Sequence, residues 1–176
     1  AQTRQVPQEP VRFTGSRRAG WYSGNDFPVT HSRAPAPEQI TLGSWRLEVL
    51  GAVRQSLELD YEAIRDLPST ILDVTIDCTL GWYARQAWQG VLLVDVLAHA
   101  GLDHAPSQVQ FASVTGYEYA LPWSEARHVL LATHVGGETL STAHGYPLRL
   151  VVPSRRGWFW VKWLNRVEVR SLNTGV

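Results

Sequence analysis

From Ser44 onward the apolar residues come in short runs, each soon closed by glycine or proline, and this punctuation restricts the chain to short strands more than any single motif does. Trp45, Leu47 and Val49 alternate with polar residues until Gly51, the pattern of a half-buried strand. Ile71 to Cys78 is a β-branched run. Val109, Phe111 and Ser113 lead into a turn near Gly116, from which Tyr117 to Leu121 returns. Leu130 to His134, the Gly136-Gly137 pair and Glu138 to Leu140 make a hairpin. Leu148 to Val152 stops at Pro153, and Val161 to Arg170 closes the chain as a strand region. Helical pattern is sparse. Asp60 caps a short helix through Ile64 to Leu67, which Pro68 ends, and Gly90 to Gly101 reads as a helix finishing at its glycine. Ser124 with Arg127 and His128 makes one further turn, capped by the serine. Residues 81–89 read as a loop. Seven or more short strands with two or three short helices, no βαβ rhythm and no internal repeat, predict an α+β fold that is mostly β.

A chain of 176 residues suits one domain with a sizeable core, and 44% apolar with 18% charged residues argues against wholesale disorder. Residues 1–41, rich in Pro, Arg, Ser and Gly, are expected to be an irregular arm lying on a domain that spans 42–176. The formal net charge of zero gives no argument for nucleic acid or an anionic membrane as partner. No run approaches the roughly 18 apolar residues of a membrane span. A start at Ala1-Gln2, without methionine, is expected of a processed or truncated product. Ser16-Arg17-Arg18 is not read as a twin-arginine export signal, because Ala19 to Ser23 supplies no apolar segment after it.

Cys78 is the only cysteine, so the chain has no internal disulfide. A lone cysteine at a strand end is an inert core thiol, a nucleophile served by one of the six histidines, or a metal thiolate. No local cysteine-protease motif surrounds it, and no ligand spacing for zinc accompanies it. Ligation of a soft or high-valent metal carried by a cofactor needs only one cysteine. A second cluster follows: His144-Gly145-Tyr146-Pro147-Leu148-Arg149, then Pro153-Ser154-Arg155-Arg156-Gly157-Trp158-Phe159-Trp160-Val161-Lys162-Trp163. Guanidinium groups and backbone N–H groups in such turns suit phosphate oxygens, and the tryptophans suit a flat heterocycle. Lys162, the sole lysine, lies among Trp160, Val161 and Trp163, where an ammonium needs an anionic partner.

The order of WRLEVLGAV, TIDCTLGW, WQGVLLVDVLAHAG, FASVTGYEYALPW, GGETL, HGYPLRLVVP and VKWLNRVEV, from Trp45 to Val169, resembles the molybdopterin-binding oxidoreductase domain of the sulfite oxidase family. The resemblance implies that family's fold of mixed sheets with a few short helices. It also implies a molybdenum centre with one pyranopterin, ligated by Cys78 as the catalytic thiolate, and no haem in this chain. His144 and Arg149 fall on the family's His/Asn-Gly-x-Pro-x-Arg motif, and Trp160, Val161 and Lys162 on its Gly-x-x-x-(Val/Ile)-Lys segment, both of which hold the pterin. Ser113 falls near the family's hydroxyl position. Asn25, Phe27, Thr30 and His31 resemble the N-terminal segment that closes over the cofactor. Tyr83, Arg85, Trp88, Tyr117 and Tyr119 are candidates to line the substrate pocket.

The chain departs from the sulfite oxidases in two places. Thr79-Leu80-Gly81-Trp82 stands where they carry an Asn-Arg-Arg stretch, and Phe27-Pro28-Val29-Thr30-His31 where they carry an arginine-containing segment. It is similar instead to the compact bacterial form, such as the periplasmic methionine-sulfoxide reductase catalytic subunit. The implied reaction moves an oxygen atom to or from a small or protein-bound S-oxide or N-oxide. Sulfite oxidation, or a cofactor-free binding or electron-relay role, is the alternative. By the same resemblance the location is extracytoplasmic, periplasmic or membrane-tethered. The electron partner is a haem- or quinone-linked membrane protein, with no nucleic acid involved.

Overall fold

The computed structural model describes residues 4–6, 15–21, 23–30, 35–102, 104 and 106–171. Two sheets carry the fold. The larger contains β1 (Arg4–Val6), β2 (Arg17–Trp21), β5 (Ser69–Cys78), β6 (Trp82–Leu92), β9 (Leu130–Val135), β10 (Glu138–Thr139) and β11 (Arg149–Val151). The smaller runs in the order β4 (Leu57–Leu59), β3 (Leu47–Gly51), β12 (Leu164–Arg170), β7 (Gln108–Ser113), β8 (Glu118–Pro122). Helices α1 (Tyr61–Asp66), α2 (Leu93–Ala100) and α3 (Trp123–Ala126) and two short 3₁₀ turns complete the described elements. This is the mostly β, α+β architecture that the punctuation predicts.

The spine of the larger sheet is the β5–β6 hairpin, paired antiparallel from Ser69↔Val91 to Cys78↔Trp82. The sequence reading took residues 81–89 for a loop; they are most of strand β6. The alternation was hidden because the inward face carries Trp82, Ala84, Gln86 and Trp88, and a fully buried glutamine interrupts the apolar set. β6 then crosses to β9 with a register shift between Gln89 and Gly90. Gly90 is required there because a side chain would collide with the Leu131 carbonyl oxygen.

The arm is less irregular than its composition suggests. β1 lies parallel to β5 and β2 parallel to β6, so these segments gain ladder hydrogen bonds that no local alternation announces. Helix α2 begins at Leu93 rather than near Gly90, because β6 continues to Leu92. Asp60 caps α1 as expected, accepting from the Ala63 N–H at 2.8 Å. Ser124 does not cap α3; it sits inside the helix, which follows Pro122 without a side-chain cap. One continuous apolar cluster fills the space between the sheets. Trp88, Phe111, Leu47, Leu93, Leu130 and Leu150 are among its fully buried members.

Candidate functional site

Cys78 is the last residue of β5, and alternation places it on the same inward face as Val74 and Ile76. Its sulfur receives the Leu80 N–H at 3.5 Å and lies 3.6 Å from the Thr30 hydroxyl. The neighbouring Asp77 points the other way and is only 1% exposed. Ser16 donates to it at 2.6 Å and Arg156 at 3.0 Å; the same guanidinium nitrogen donates to the Cys78 carbonyl at 2.8 Å. The thiol is thus tied down from both sides of its strand.

A cleft of about 790 Å³, including its open mouth, lies over this sulfur. Its inner wall is buried and basic. Arg149, on β11, is 3% exposed, with its guanidinium 5.3 Å from the Trp88 ring and 5.8 Å from the Trp160 ring; it donates to the His144 carbonyl at 2.8 Å. Lys162 reaches the carbonyls of Ala143 (2.7 Å) and Thr30 (3.1 Å). His144 Nε2 lies 2.9 Å from the Asn25 carbonyl, and the ring stacks on Phe27 at 3.9 Å. Gly145, at φ +113°, lets the main chain turn directly against both cations: a Cβ there would stand 3.2 Å from the Cβ atoms of Arg149 and Lys162. Trp163 holds an uncommon left-handed φ of 54°. Its indole donates to the Thr142 carbonyl at 2.7 Å, and its own carbonyl accepts from Val114 at 3.0 Å.

Burial dominates the electrostatics. It lowers the Arg149 pKa to about 9, with the charge of Cys78 opposing the shift. It lowers Lys162 to about 7, helped by the Arg149 charge and opposed by Cys78. It lowers His144 to about 4, again reinforced by Arg149, so this imidazole is neutral at physiological pH. Among the described residues no carboxylate pairs with Arg149 or Lys162. The buried N–H groups of Arg149 Nε and Trp82 Nε1 find no acceptor among the described residues. A thiol beside two buried cations, spare donors and a glycine cradle suits a guest that brings both an anionic oxygen cluster and a thiophilic metal. No group of three or more His, Cys, Asp and Glu side chains among the described residues is arranged to hold a metal ion by itself.

The structure brings Phe27, Thr30, Cys78, Ser113, Tyr117, His144, Arg149, Trp160 and Lys162 into one lining, from segments more than a hundred residues apart. Asn25 stands behind it: its side chain donates to the Thr139 carbonyl (2.9 Å) and accepts from the Ser141 N–H (2.8 Å), fixing the turn that bears His144. Val161 is buried behind the wall, where its carbonyl accepts from Leu150. His31 lies outside the described residues. Of the five substrate-pocket candidates only Tyr117 lines the cleft. Tyr83 and Arg85 have the opposite parity to Trp82 on β6 and face away. Trp88 is sealed beneath Arg149, Phe27 and Trp160, and Tyr119 packs edge-on against Phe159 at 4.6 Å. The sequence reading missed Thr79, Leu80, Trp82, Thr115, Trp158 and Trp163, all of which line the cleft. Cross-strand pairing of Trp82 with Cys78 was the available signal for one of them.

Residues 33–174 match the family described as oxidoreductase molybdopterin binding domain. The chain is 31% identical to the oxidoreductase YuiH of Bacillus subtilis (strain 168), over 84% of this chain and 75% of that one. It is 32% identical to mitochondrial sulfite oxidase of Mus musculus, over 86% of this chain and 34% of the oxidase. It is 29% identical to the protein-methionine-sulfoxide reductase catalytic subunit MsrP of Gluconobacter oxydans, over 85% of this chain and 60% of that protein. Among solved structures, the sulfane dehydrogenase SoxCD of Paracoccus pantotrophus superposes with a TM-score of 0.70 at 25% identity, over 75% of this chain and 39% of that one. The chain therefore spans three quarters of YuiH but about a third of the sulfite oxidase.

Proposed function

Since the chain belongs to the family of molybdopterin-binding oxidoreductase domains, we propose that it transfers an oxygen atom to or from an S-oxide or N-oxide at a molybdenum–pyranopterin centre ligated by Cys78. The observation that carries this reading is the buried Arg149 and the half-buried Lys162, set beside an inward-facing thiol with no carboxylate among the described residues to balance them. When bound, the centre supplies two-electron oxygen-atom chemistry. The chain's own residues do the rest. Arg149 and Lys162 hold the cofactor's phosphate, which balances their charge, and the stack of His144 on Phe27 walls the pterin side. The Leu80 N–H and the Thr30 hydroxyl, both next to Cys78 Sγ, fix the position of the sulfur that would meet the metal.

The mouth favours oxides over sulfite. Pro28, Thr79, Leu80, Thr115 and Trp158 line its outer part, and none is charged. Among the described residues, a free oxyanion finds no guanidinium lining that side to replace its water. The relatives include a protein-methionine-sulfoxide reductase as well as sulfite oxidases, so the mouth is what separates the two readings. Removing oxygen from an oxide consumes two electrons and two protons and releases water. We place the electron source in a haem- or quinone-linked membrane partner, and the chain on the extracytoplasmic side. No helix among the described residues is long and apolar enough to cross a membrane.

The test is to express the protein in a host that makes the cofactor, then measure molybdenum per chain, the Mo(V) electron paramagnetic resonance signal and dye-linked turnover of sulfoxides, N-oxides and sulfite. One molybdenum per chain, with oxide turnover that Cys78→Ala abolishes while circular dichroism stays unchanged, is the expected result. Retained turnover in Cys78→Ala would contradict the ligand assignment. Turnover of sulfite alone would favour the sulfite-oxidising alternative, and a chain that takes up no molybdenum would favour a cofactor-free module.

A further inference from the structure

Four large hydrophobic side chains are exposed among the described residues: Trp21, Val29, Leu80 and Val114. One of them stands in the mouth of the cleft: Leu80 lines it and is 69% exposed. Pro28 and Trp158 line the same mouth, so Leu80 belongs to an apolar collar around one opening, which exposed apolar residues scattered singly do not form.

These side chains are not on loose tips. The Leu80 turn is held by three bonds donated by main-chain N–H groups: Leu80 N–H to the Cys78 sulfur (3.5 Å), Gly81 N–H to the Cys78 carbonyl (3.1 Å) and Arg17 N–H to the Gly81 carbonyl (2.9 Å). Thr30, next to Val29, is tied through its carbonyl to Lys162 and through its hydroxyl to the Cys78 sulfur. Val114 donates its N–H to the Trp163 carbonyl, and Gly116 donates to the Ser113 carbonyl at 2.9 Å. The collar is therefore presented rigidly, and its charge pattern is one-sided. The cations of the cleft lie on the buried wall, whereas the outer residues are apolar or hydroxyl-bearing.

We propose that Leu80, flanked by Pro28 and Trp158, is the specificity-determining residue of the mouth, selecting a neutral oxide whose oxygen is borne on an apolar body and rejecting free oxyanions. The inference rests on the oxygen-transfer reading above and adds to it the class of substrate. An alkyl or aryl substituent covers Leu80 and removes apolar surface from water on both partners, while an oxyanion entering the same mouth sheds hydration without gaining a charged partner among the described residues of the outer wall. Leu80 acts by its side chain; its N–H to the thiolate is retained in any substitution except proline.

The test uses the molybdenum-loaded protein with a reduced viologen dye and a series from dimethyl to dibutyl sulfoxide, with nitrate as the oxyanion. Binding of dibutyl sulfone, a non-reducible analogue, is followed in parallel by the quenching of tryptophan fluorescence. In the wild type, kcat/KM is expected to climb with alkyl length, through KM. In Leu80→Ser that climb flattens, with dibutyl sulfoxide losing roughly fivefold to tenfold, and sulfone affinity falls by a similar factor. Leu80→Arg shifts the ratio of nitrate to sulfoxide turnover upward. Leu80 is mostly exposed, so neither variant threatens the fold. An alkyl dependence and a sulfone affinity that are the same in Leu80→Ser as in the wild type overturn the collar, even if oxides are reduced. If no oxide is reduced but sulfone binding still depends on Leu80, the collar stands and the oxygen-transfer reading falls.

Discussion

The buried lysine makes a prediction that needs no substrate. Lys162 has its pKa lowered from 10.5 to about 7 by burial and by the Arg149 charge, whereas in the unfolded chain it keeps the ordinary value. Between those two pKa values the unfolded state binds more protons than the folded state, so the stability of the cofactor-free protein must rise with pH across that window. Below pH 7 the full penalty of the buried ammonium is present. Going from pH 7 to pH 9 recovers about 2 kcal/mol of it, at about 1.4 kcal/mol per unit once partial titration at pH 7 is included. The other shifted groups add little in this window: His144 titrates near 4, and the lowering of Arg149 to about 9 adds roughly 0.4 kcal/mol at pH 9, a contribution that Lys162→Met retains. Urea denaturation of protein made in a host lacking the cofactor pathway measures it. With a denaturant slope of about 2 kcal/mol per molar, the midpoint moves up by about 1 M between the two pH values. Lys162→Met removes the lysine's part of the rise and starts from a higher midpoint at pH 7. In loaded protein the cofactor's phosphate restores the lysine's affinity for its proton, so the rise shrinks. An equal pH response in wild type and Lys162→Met would refute the claim that Lys162 is held as an unbalanced cation awaiting an anion.

Two further substitutions probe the supports of the site. Asp77→Leu leaves the Arg156 guanidinium, 29% exposed, without its carboxylate, and should lower stability by about 3 kcal/mol in denaturant titration. Asn25→Ala removes the bonds that join the arm to Ser141 and Thr139. Leaving the Ser141 N–H unpaired costs about 1–2 kcal/mol, and the molybdenum bound per chain after gel filtration should fall below that of the wild type.

The strands with clean alternation, Leu47 to Gly51 and Gln108 to Ser113, were legible in the sequence because side-chain period and burial coincide there. The residues proposed for the cofactor wall, Cys78, His144, Arg149 and Lys162, were singled out by the order of motifs that resembles the family; by residue type alone the cysteine stayed open between core thiol, nucleophile and metal thiolate. What stayed hidden follows from β6. With Gln86 buried at 0% exposure, the hydrophobic period broke and the strand passed for a loop. Without a strand there was no parity, so Tyr83 and Arg85 were placed in the pocket and Trp82, on the inward face, was not. Leu80 escaped because it approaches the sulfur only through the tertiary placement of a turn, whereas Thr30 was reached through the family resemblance of the arm. Neither residue type advertises that role.

Cys78 ends a ten-residue strand paired along its whole length. Its carbonyl is held by Arg156 and its sulfur by the Leu80 N–H. Electron transfer is slowed by whatever must move when charge changes. A donor atom fixed at the rigid end of a hairpin, with its hydrogen-bond partners already in place, has little left to rearrange. For the ligation by Cys78 proposed above, the sheet itself would keep the reorganisation energy of the centre low.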